Sequence, residues 1–193
     1  MPWSEYIPLE HELAGLGRQI ADWYVKLNVS LNPHLARMEP GTVDRMTAFS
    51  LAGANGAVWR FGVSNCFEIA SAAAVNEWHR HRDHRGAKGV HFIVNPANEI
   101  LLGGAIHNQM LRAARLRAIE GRVSVVRVAN NGISALIDPR GVVVRHIADA
   151  AGKSTDVSGF GHFQAIIDSR YPSVYAMIGD VFPILCKIGR AHV

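Results

Sequence analysis

The alternation of apolar and polar residues predicts a chain in which strands and helices are interspersed. Apolar side chains recur at helical spacing over residues 9–27 and 105–120, and a further helix is predicted over 70–79. Short apolar runs predict strands over 57–67, 90–94, 123–128, 133–137, 142–146 and 163–167. This mixture predicts an α/β fold, in which helices cover at least one face of a sheet.

The segments between these elements carry turn and loop chemistry. Residues 28–57 contain Pro33, Pro40 and Gly41 and are expected to be irregular. Asn130-Asn131-Gly132 and Asp138-Pro139-Arg140-Gly141 are expected to be tight turns between short strands. In the helix over 105–120, the residues expected to face inward are Met110, Leu111, Ala114 and Ile119.

The composition fits one globular domain, because 193 residues with 49% hydrophobic content can bury a core of useful size. The N-terminus lacks the basic and apolar regions of a signal peptide. The most apolar stretch, Val174 to Cys186, is interrupted by Asp180 and Pro183 and is too short to span a bilayer. We therefore expect no complete transmembrane helix, although this stretch could begin a longer span.

The formal charge of +4 is concentrated partly in one run, residues 79–85, where histidine and arginine alternate. We interpret this run as a solvated loop. Nucleic-acid surfaces usually spread basic residues over a face together with aromatic residues, so no nucleic-acid partner is expected. Consecutive His-Arg pairs do not provide spaced metal ligands either.

The last seven residues, 187–193, match a reading-frame translation of a common sequencing adapter. We interpret them as an artefactual tail, with an ordinary polar C-terminus as the alternative. The domain is accordingly assigned to residues 1–186 and is expected to be incomplete.

Cys66 is the most informative residue of the chain. It lies where a predicted strand passes into a predicted helix, and a helix N-terminus favours the reactive thiolate form. Glu68, two residues later, is near enough to orient a substrate or a base. These residues alone leave two interpretations open, a nucleophile or a small buried apolar side chain. Cys186 lies in a different context, so no disulfide framework is expected.

The segment Gly62-Val63-Ser64-Asn65-Cys66-Phe67-Glu68 resembles the nucleophile strand of the nitrilase superfamily of carbon-nitrogen hydrolases. Residues 115–120 and 125–141 are very similar to a second block of that superfamily, in the form found in apolipoprotein N-acyltransferases. His107-Asn108-Gln109 lies where that family has a Gln-His element. A third block, residues 171–180, resembles the stretch before the acyltransferases' last membrane helix.

A fourth block, residues 2–10, resembles the acyltransferases' Ser-Glu-Tyr-x-Pro segment. The resemblance implies that Glu5 and Glu68 support the active site and that Cys66 is the nucleophile of a Glu-Lys-Cys triad. The family's lysine lies shortly before this block and its glutamate further upstream, so we expect both to be missing here. Lys26 follows the block, which is the wrong order for the catalytic lysine.

One segment departs from the family pattern. Asn95-Pro96-Ala97-Asn98-Glu99 stands where the family has Ser-Asn-Asp followed by an aromatic residue, in a loop that borders the active site. Arg117 and Glu120 lie three residues apart on a predicted helix and are expected to form an anchoring ion pair.

The resemblance implies part of a nitrilase-type α-β-β-α sandwich. It also implies an inner-membrane parent enzyme whose hydrolase domain faces the periplasm or outer side, with the membrane contacted through missing segments. The implied acyl donor is a phospholipid, the acceptor is an apolipoprotein, and no cofactor is expected. Because only the thiol of the triad is present, we expect the 193 residues alone to be inactive.

Two alternatives remain open. A soluble carbon-nitrogen hydrolase acting on a small amide or nitrile would share the triad. A non-catalytic remnant that binds lipid or a partner would explain the missing residues, although a charge of +4 decides little about lipid binding.

Overall fold

A mixed six-stranded sheet forms the centre of the described part of the chain. The computed structural model describes residues 47–53, 55–80, 89–100, 104–167, 173–181 and 185–186, all within the unit Thr47–Val193. The strands follow one another in chain order across the sheet. They are β1 (Phe49–Ala52), β2 (Val58–Val63), β3 (Phe92–Asn98), β4 (Ser124–Asn130), β5 (Ala135–Ile137) and β6 (Val143–His146).

Helices connect the parallel strands, and hairpins connect the antiparallel ones. β2, β3 and β4 are mutually parallel, whereas β1, β5 and β6 join as antiparallel edges. A 3₁₀ helix (Cys66–Ala70) and α1 (Ala72–Arg80) link β2 to β3, and α2 (Gly104–Gly121) links β3 to β4. Right-handed crossovers of this kind place both helices on one face of the sheet. The predicted α/β class is confirmed.

The core lies between that face and the helices. Gly62, Ile93, Val125 and Ile137 form a row of register partners across four strands, and the three large side chains of this row are fully buried. Gly62 lets the ring of Trp78 from α1 lie directly on the sheet.

The opposite face carries an aromatic row. The rings of Phe49, Phe61 and Phe92 stack across β1, β2 and β3, with centroids 5.3 and 5.2 Å apart. Phe49 is nevertheless 56% exposed, so within the described residues this end of the opposite face is much less covered than the helix face.

A short helix, α3 (Val174–Ile178), packs near the end of α2. Ser173 caps it by accepting a hydrogen bond from the Ala176 amide at 3.0 Å, and its hydroxyl donates to the carbonyl of Glu120. The expected ion pair is also confirmed, with Arg117 Nε 3.0 Å from Glu120 Oε2. No helix of the described residues is long and apolar enough to cross a membrane.

Two strand predictions were wrong. Residues 163–167 form no strand. β4 already pairs with β3 and β5, so it offers no free edge, and this segment instead reaches β4 through a side chain: Ser124 Oγ donates to Ile166 O at 2.6 Å. Conversely, β1 lies in the segment expected to be irregular, and the Gly53–Ala57 turn folds it onto β2.

Three smaller predictions also need correction. His79 is not in a solvated loop but is buried on α1, because Gly121 of α2 leaves room for its ring. Ile119 is 47% exposed and only the end of its side chain lies against Gly141. The expected loop at Asn95–Glu99 is largely strand, because β3 continues to Asn98.

Several predictions fall outside the described residues. They are the helix over 9–27, the contacts of Glu5 and Lys26, most of the basic run, and the tail 187–193.

The Gly62 contact makes a first prediction. A Cβ at this position would lie 2.6 Å from Trp78 Cδ2, so Gly62→Ala should lower the free energy of unfolding by about 1–3 kcal/mol through overpacking. Urea denaturation measures this. Gly104→Ala is the matched control, because a Cβ there meets nothing within 4 Å and the change should stay below about 1 kcal/mol. Equal effects of the two substitutions would contradict the packing described here.

The turn between β5 and β6 makes a second prediction, because it depends on an ionised Asp138. Burial acts to raise the pKa of Asp138, but hydrogen bonds from the Val142 and Arg140 amides and the Arg140 guanidinium outweigh it, and the pKa is lowered. A lowered folded-state pKa stabilises the protein above the unfolded value of about 3.9, and this stability is lost as pH falls below it.

Asp138→Asn should therefore lower the free energy of unfolding by roughly 1–3 kcal/mol at pH 7. This difference in free energy between the variant and the unmodified chain should shrink as the pH falls below the unfolded-state pKa. Urea denaturation at several pH values measures it, with Asp149→Asn in an exposed turn as the comparison. A penalty that does not change with pH would show that the charge of Asp138 is irrelevant.

Candidate active site

Cys66 lies on a sharp turn at the end of β2. Ser64 still donates to Val94 O of β3 at 2.9 Å, and the 3₁₀ helix begins at Cys66 itself. Its backbone has φ +48°, in the left-handed region. A residue with a side chain adopts this region at a cost of about 1–2 kcal/mol, and such strain is concentrated at functional sites.

The Cys66 thiol is free and only partly buried. Its Sγ lies 3.7 Å from the carbonyl oxygen of Asn98, at the end of the neighbouring strand. Because β2, β3 and β4 are parallel, their carboxyl ends meet at this edge, which is where open α/β sheets usually bind ligands. Cys66 is thus only partly buried, at an edge where ligands commonly bind, and its role as the nucleophile remains a prediction. Cys186 is also free, and it is exposed.

Glu68 closes the turn that carries the thiol. Its Oε2 accepts from the Asn65 amide at 2.6 Å, and its own amide donates to Asn65 O at 3.0 Å. These two reciprocal hydrogen bonds join Asn65 to Glu68, on either side of Cys66. The expectation that Glu68 supports the active site remains a prediction, as does that for Glu5, which lies outside the described residues.

The helix after Cys66 differs from the expected one. The segment at the thiol is a five-residue 3₁₀ helix, and the α-helix begins only at Ala72. The aligned peptide dipoles at Cys66 are therefore fewer than a long α-helix would provide.

A buried polar row lies directly behind the turn. Asn95 of β3 and Arg127 of β4 are register partners on the helix-covered face, and each is almost fully buried. Asn95 Nδ2 donates to Ser64 O at 2.6 Å and to Cys66 O at 3.2 Å. The guanidinium of Arg127 donates to Asn95 Oδ1, so the row reaches from β4 to the turn that carries Cys66.

The other end of the row is an ion pair. Arg127 donates a second hydrogen bond to Glu99 Oε1, and His107 Nδ1 of α2 lies 2.9 Å from Glu99 Oε2. Glu99 is fully buried. Gly132, in the turn after β4, allows the backbone to lie against the Glu99 carboxylate, where a Cβ would collide with it.

Arg127 keeps its charge in this setting. Burial lowers its pKa to about 10, while its electrostatic interaction with Cys66 acts to raise it. Arg127 is therefore a cation at neutral pH. The carboxylate of Glu99 offsets this charge and accepts a hydrogen bond from Nη2 of the guanidinium.

Glu120 lies in a second polar cluster, at the far end of α2. Burial raises its pKa, Arg117 lowers it and Asp180 raises it further. The cluster anchors α3 to α2. No group of three or more metal-binding side chains occurs among residues that the structure describes.

Asn95, Glu99 and His107 were noted in the sequence, and Arg127 lies in the block 125–141, but none of the four was given a role. The available signal was a single charge in the apolar strand Val125-Val126-Arg127-Val128, because a buried charge requires a partner. The partner, Glu99, lies 28 residues away along the chain.

No protein-family model matches the chain, but curated relatives do. An apolipoprotein N-acyltransferase of Allorhizobium ampelinum is 45% identical over 60 residues, which is 31% of this chain and 11% of that protein. Apolipoprotein N-acyltransferase 2 of Treponema denticola is 26% identical over 96% of this chain, and the Geobacter metallireducens enzyme is 25% identical over 100% of it. The chain covers 31% of the length of each of these two.

Two solved structures are similar in part. A Nesterenkonia amidase from the nitrilase superfamily aligns over 58% of this chain and 40% of its own, with a TM-score of 0.40 and 15% identity. A CN-hydrolase superfamily protein of Xanthomonas campestris aligns over 83% of this chain and 54% of its own, with a TM-score of 0.45 and 17% identity.

The resemblance inferred from the motifs around Cys66 and residues 115–141 is thus confirmed by sequence matches that extend over the whole chain. The chain is similar in sequence, over its whole length, to proteins named apolipoprotein N-acyltransferase, and it spans less than a third of the length of those it matches.

Proposed function

We propose that the chain carries the nucleophile of an acyltransferase that moves an acyl chain from a phospholipid to the N-terminal amine of a lipoprotein through a thioester on Cys66. One observation carries the proposal. A free thiol lies on a strained turn at the carboxyl ends of parallel strands, in a chain similar throughout to proteins named apolipoprotein N-acyltransferase.

The first half-reaction forms the thioester. The thiol proton passes to a general base, and Cys66 Sγ attacks the ester carbonyl carbon of the phospholipid. The tetrahedral oxyanion is stabilised by a cation and a backbone N–H. When it collapses, the ester C–O bond breaks and the lysophospholipid alkoxide takes the proton from the base.

The second half-reaction uses the amine. The lipoprotein's α-amine attacks the thioester carbonyl and loses a proton to the base, and the C–S bond breaks. The amide product leaves, and the Cys66 thiolate recovers the proton. No oxidant or cofactor is needed, because both steps exchange one acyl bond for another.

The base and the cation belong, in this proposal, to residues outside the described part of the chain. Within that part, the hydrogen-bond partner of the thiol is a carbonyl oxygen, that of Asn98, which cannot accept the proton permanently. Arg127 is held by Asn95 and Glu99 and lies behind the turn. In the family that the chain resembles, the lysine and the glutamate precede the block at residues 2–10, so we place both upstream of Met1 and expect the 193 residues alone to form no thioester. Residues 1–186 constitute part of the hydrolase domain, and the parent protein is an inner-membrane enzyme with this domain on the outer side.

The third prediction tests the proposal on the native locus. The coding sequence on both sides should continue the reading frame and encode a lysine shortly before Met1, a glutamate further upstream and several apolar spans. The protein expressed from that frame, mixed with phospholipid vesicles, should gain an acyl mass on the Cys66 peptide that hydroxylamine removes. Cys66→Ala should abolish this adduct, whereas Cys186→Ala, a change at an exposed cysteine, should retain it.

Two outcomes would overturn the proposal. If that protein hydrolyses small amides and takes no acyl group from phospholipid, it is a carbon-nitrogen hydrolase. If no reading frame continues upstream and the chain forms no adduct, a non-catalytic remnant is the better account. A thioester formed by the 193 residues alone would refute the assignment of the base and cation to other residues.

A further inference from the structure

We propose that Asn95 and Arg127 are positioning residues that hold the Cys66 turn in its reactive conformation. Asn95 acts directly on the turn, and Arg127 acts through Asn95. The inference rests on the proposed function in taking Cys66 as the nucleophile, and goes beyond it in assigning a role to two buried side chains behind the turn.

Asn95 holds two carbonyl groups of the turn with one amide. Its Nδ2 donates to the oxygens of Ser64 and Cys66, which are two residues apart and enclose the peptide units leading into the left-handed residue. With both oxygens fixed, the backbone at Cys66 cannot rotate out of φ +48° without breaking the hydrogen bond from Asn95 to Cys66 O. The Asn95 amide is itself buried, and leaving a buried donor without its partner is costly.

Arg127 decides which way the Asn95 amide points. A guanidinium only donates hydrogen bonds, so the oxygen of Asn95 must face Arg127 and its nitrogen must face the turn. If the Asn95 amide were flipped, its NH₂ group would face the donors of Arg127, and its Oδ1 would face the carbonyl oxygens of Ser64 and Cys66. The orientation of Asn95 therefore follows from the charge behind it.

Glu99 and His107 hold Arg127 in turn. One carboxylate oxygen of Glu99 contacts Arg127 and the other contacts His107, and these three side chains and that of Asn95 are buried. The Glu68 contact with the Asn65 amide supports the turn from its other side. The nucleophile turn is thus held between a rigid buried row and a local carboxylate.

The fourth prediction separates holding the turn from general stability. Asn95→Asp keeps an acceptor for Arg127 but removes the donor to Ser64 and Cys66. Hydrogen exchange in the peptide covering 64–70 should accelerate by roughly tenfold or more, while exchange in α2 stays unchanged. Asn55→Asp is the matched control, since Asn55 lies in the exposed turn at the other end of β2, and it should alter neither segment.

Arg127→Lys tests the indirect link. Lysine keeps the charge but lacks the planar fork that serves Asn95 and Glu99 together, so exchange at 64–70 should also accelerate. Because both residues act on the turn through one connection, the double variant Asn95→Asp/Arg127→Lys should exchange no faster than the faster single variant. Full additivity, or equal acceleration in α2, would overturn the inference and leave Asn95 and Arg127 as ordinary core residues.

Activity supplies a second readout, in the protein expressed from the uninterrupted frame. Asn95→Asp should lower kcat for thioester formation by about 10- to 100-fold and change KM less than twofold, because substrate binding does not involve Asn95. An unchanged kcat despite faster exchange would show that the turn tolerates movement, which overturns the positioning role. If the unmodified protein forms no thioester, the proposed function fails, and the exchange comparison still decides whether Asn95 holds the turn.

Discussion

The structure around Cys66 depends on one buried charge. Arg127 projects from a central strand into the space under the helices, where an unpaired cation would cost several kcal/mol. Glu99 neutralises it, a second guanidinium nitrogen donates to Asn95, and His107 lies against the other oxygen of Glu99. Asn95 and Glu99 lie on and just after β3, and His107 lies on α2. The need to pair the charge of Arg127 therefore fixes how β3, β4 and α2 pack together directly behind the candidate nucleophile.

Local sequence patterns predicted most of the helices and strands, because most of them are specified by residues close together in the chain. The helix over 105–120 and the strands on either side of the Asn130–Gly132 and Asp138–Gly141 turns appear close to their predicted positions, since periodicity and turn residues act over a few positions. Residues 163–167 have the apolar pattern of a strand, but they lie against Ser124 of β4, whose two edges are already paired with β3 and β5. β1 has only four residues, and its signal, Phe49 and Leu51 before a glycine-containing turn, is too short to stand out.

The candidate site likewise has features that neighbouring residues predict and features that depend on residues far apart in the chain. The position of Cys66 after a strand and the ion pair between Arg117 and Glu120 follow from neighbours in the chain, and both are present. The hydrogen bonds of Asn95 join residues about 30 positions apart. They depend on the register between β2, β3 and β4, which no single segment specifies. The left-handed backbone at Cys66 was likewise unforeseen, because cysteine has no special preference for it.

The pairing of Asn95 with Arg127 across β3 and β4 has a consequence for how the chain finds its fold. Side chains alternate between the two sides of a strand, so a slip of one residue between these strands would turn Arg127 toward the aromatic side. Glu99 would then be enclosed without a cation. Misaligned sheets are thus penalised by charge as well as by lost apolar packing, and the same side chains that hold the cysteine also select the correct alignment during folding.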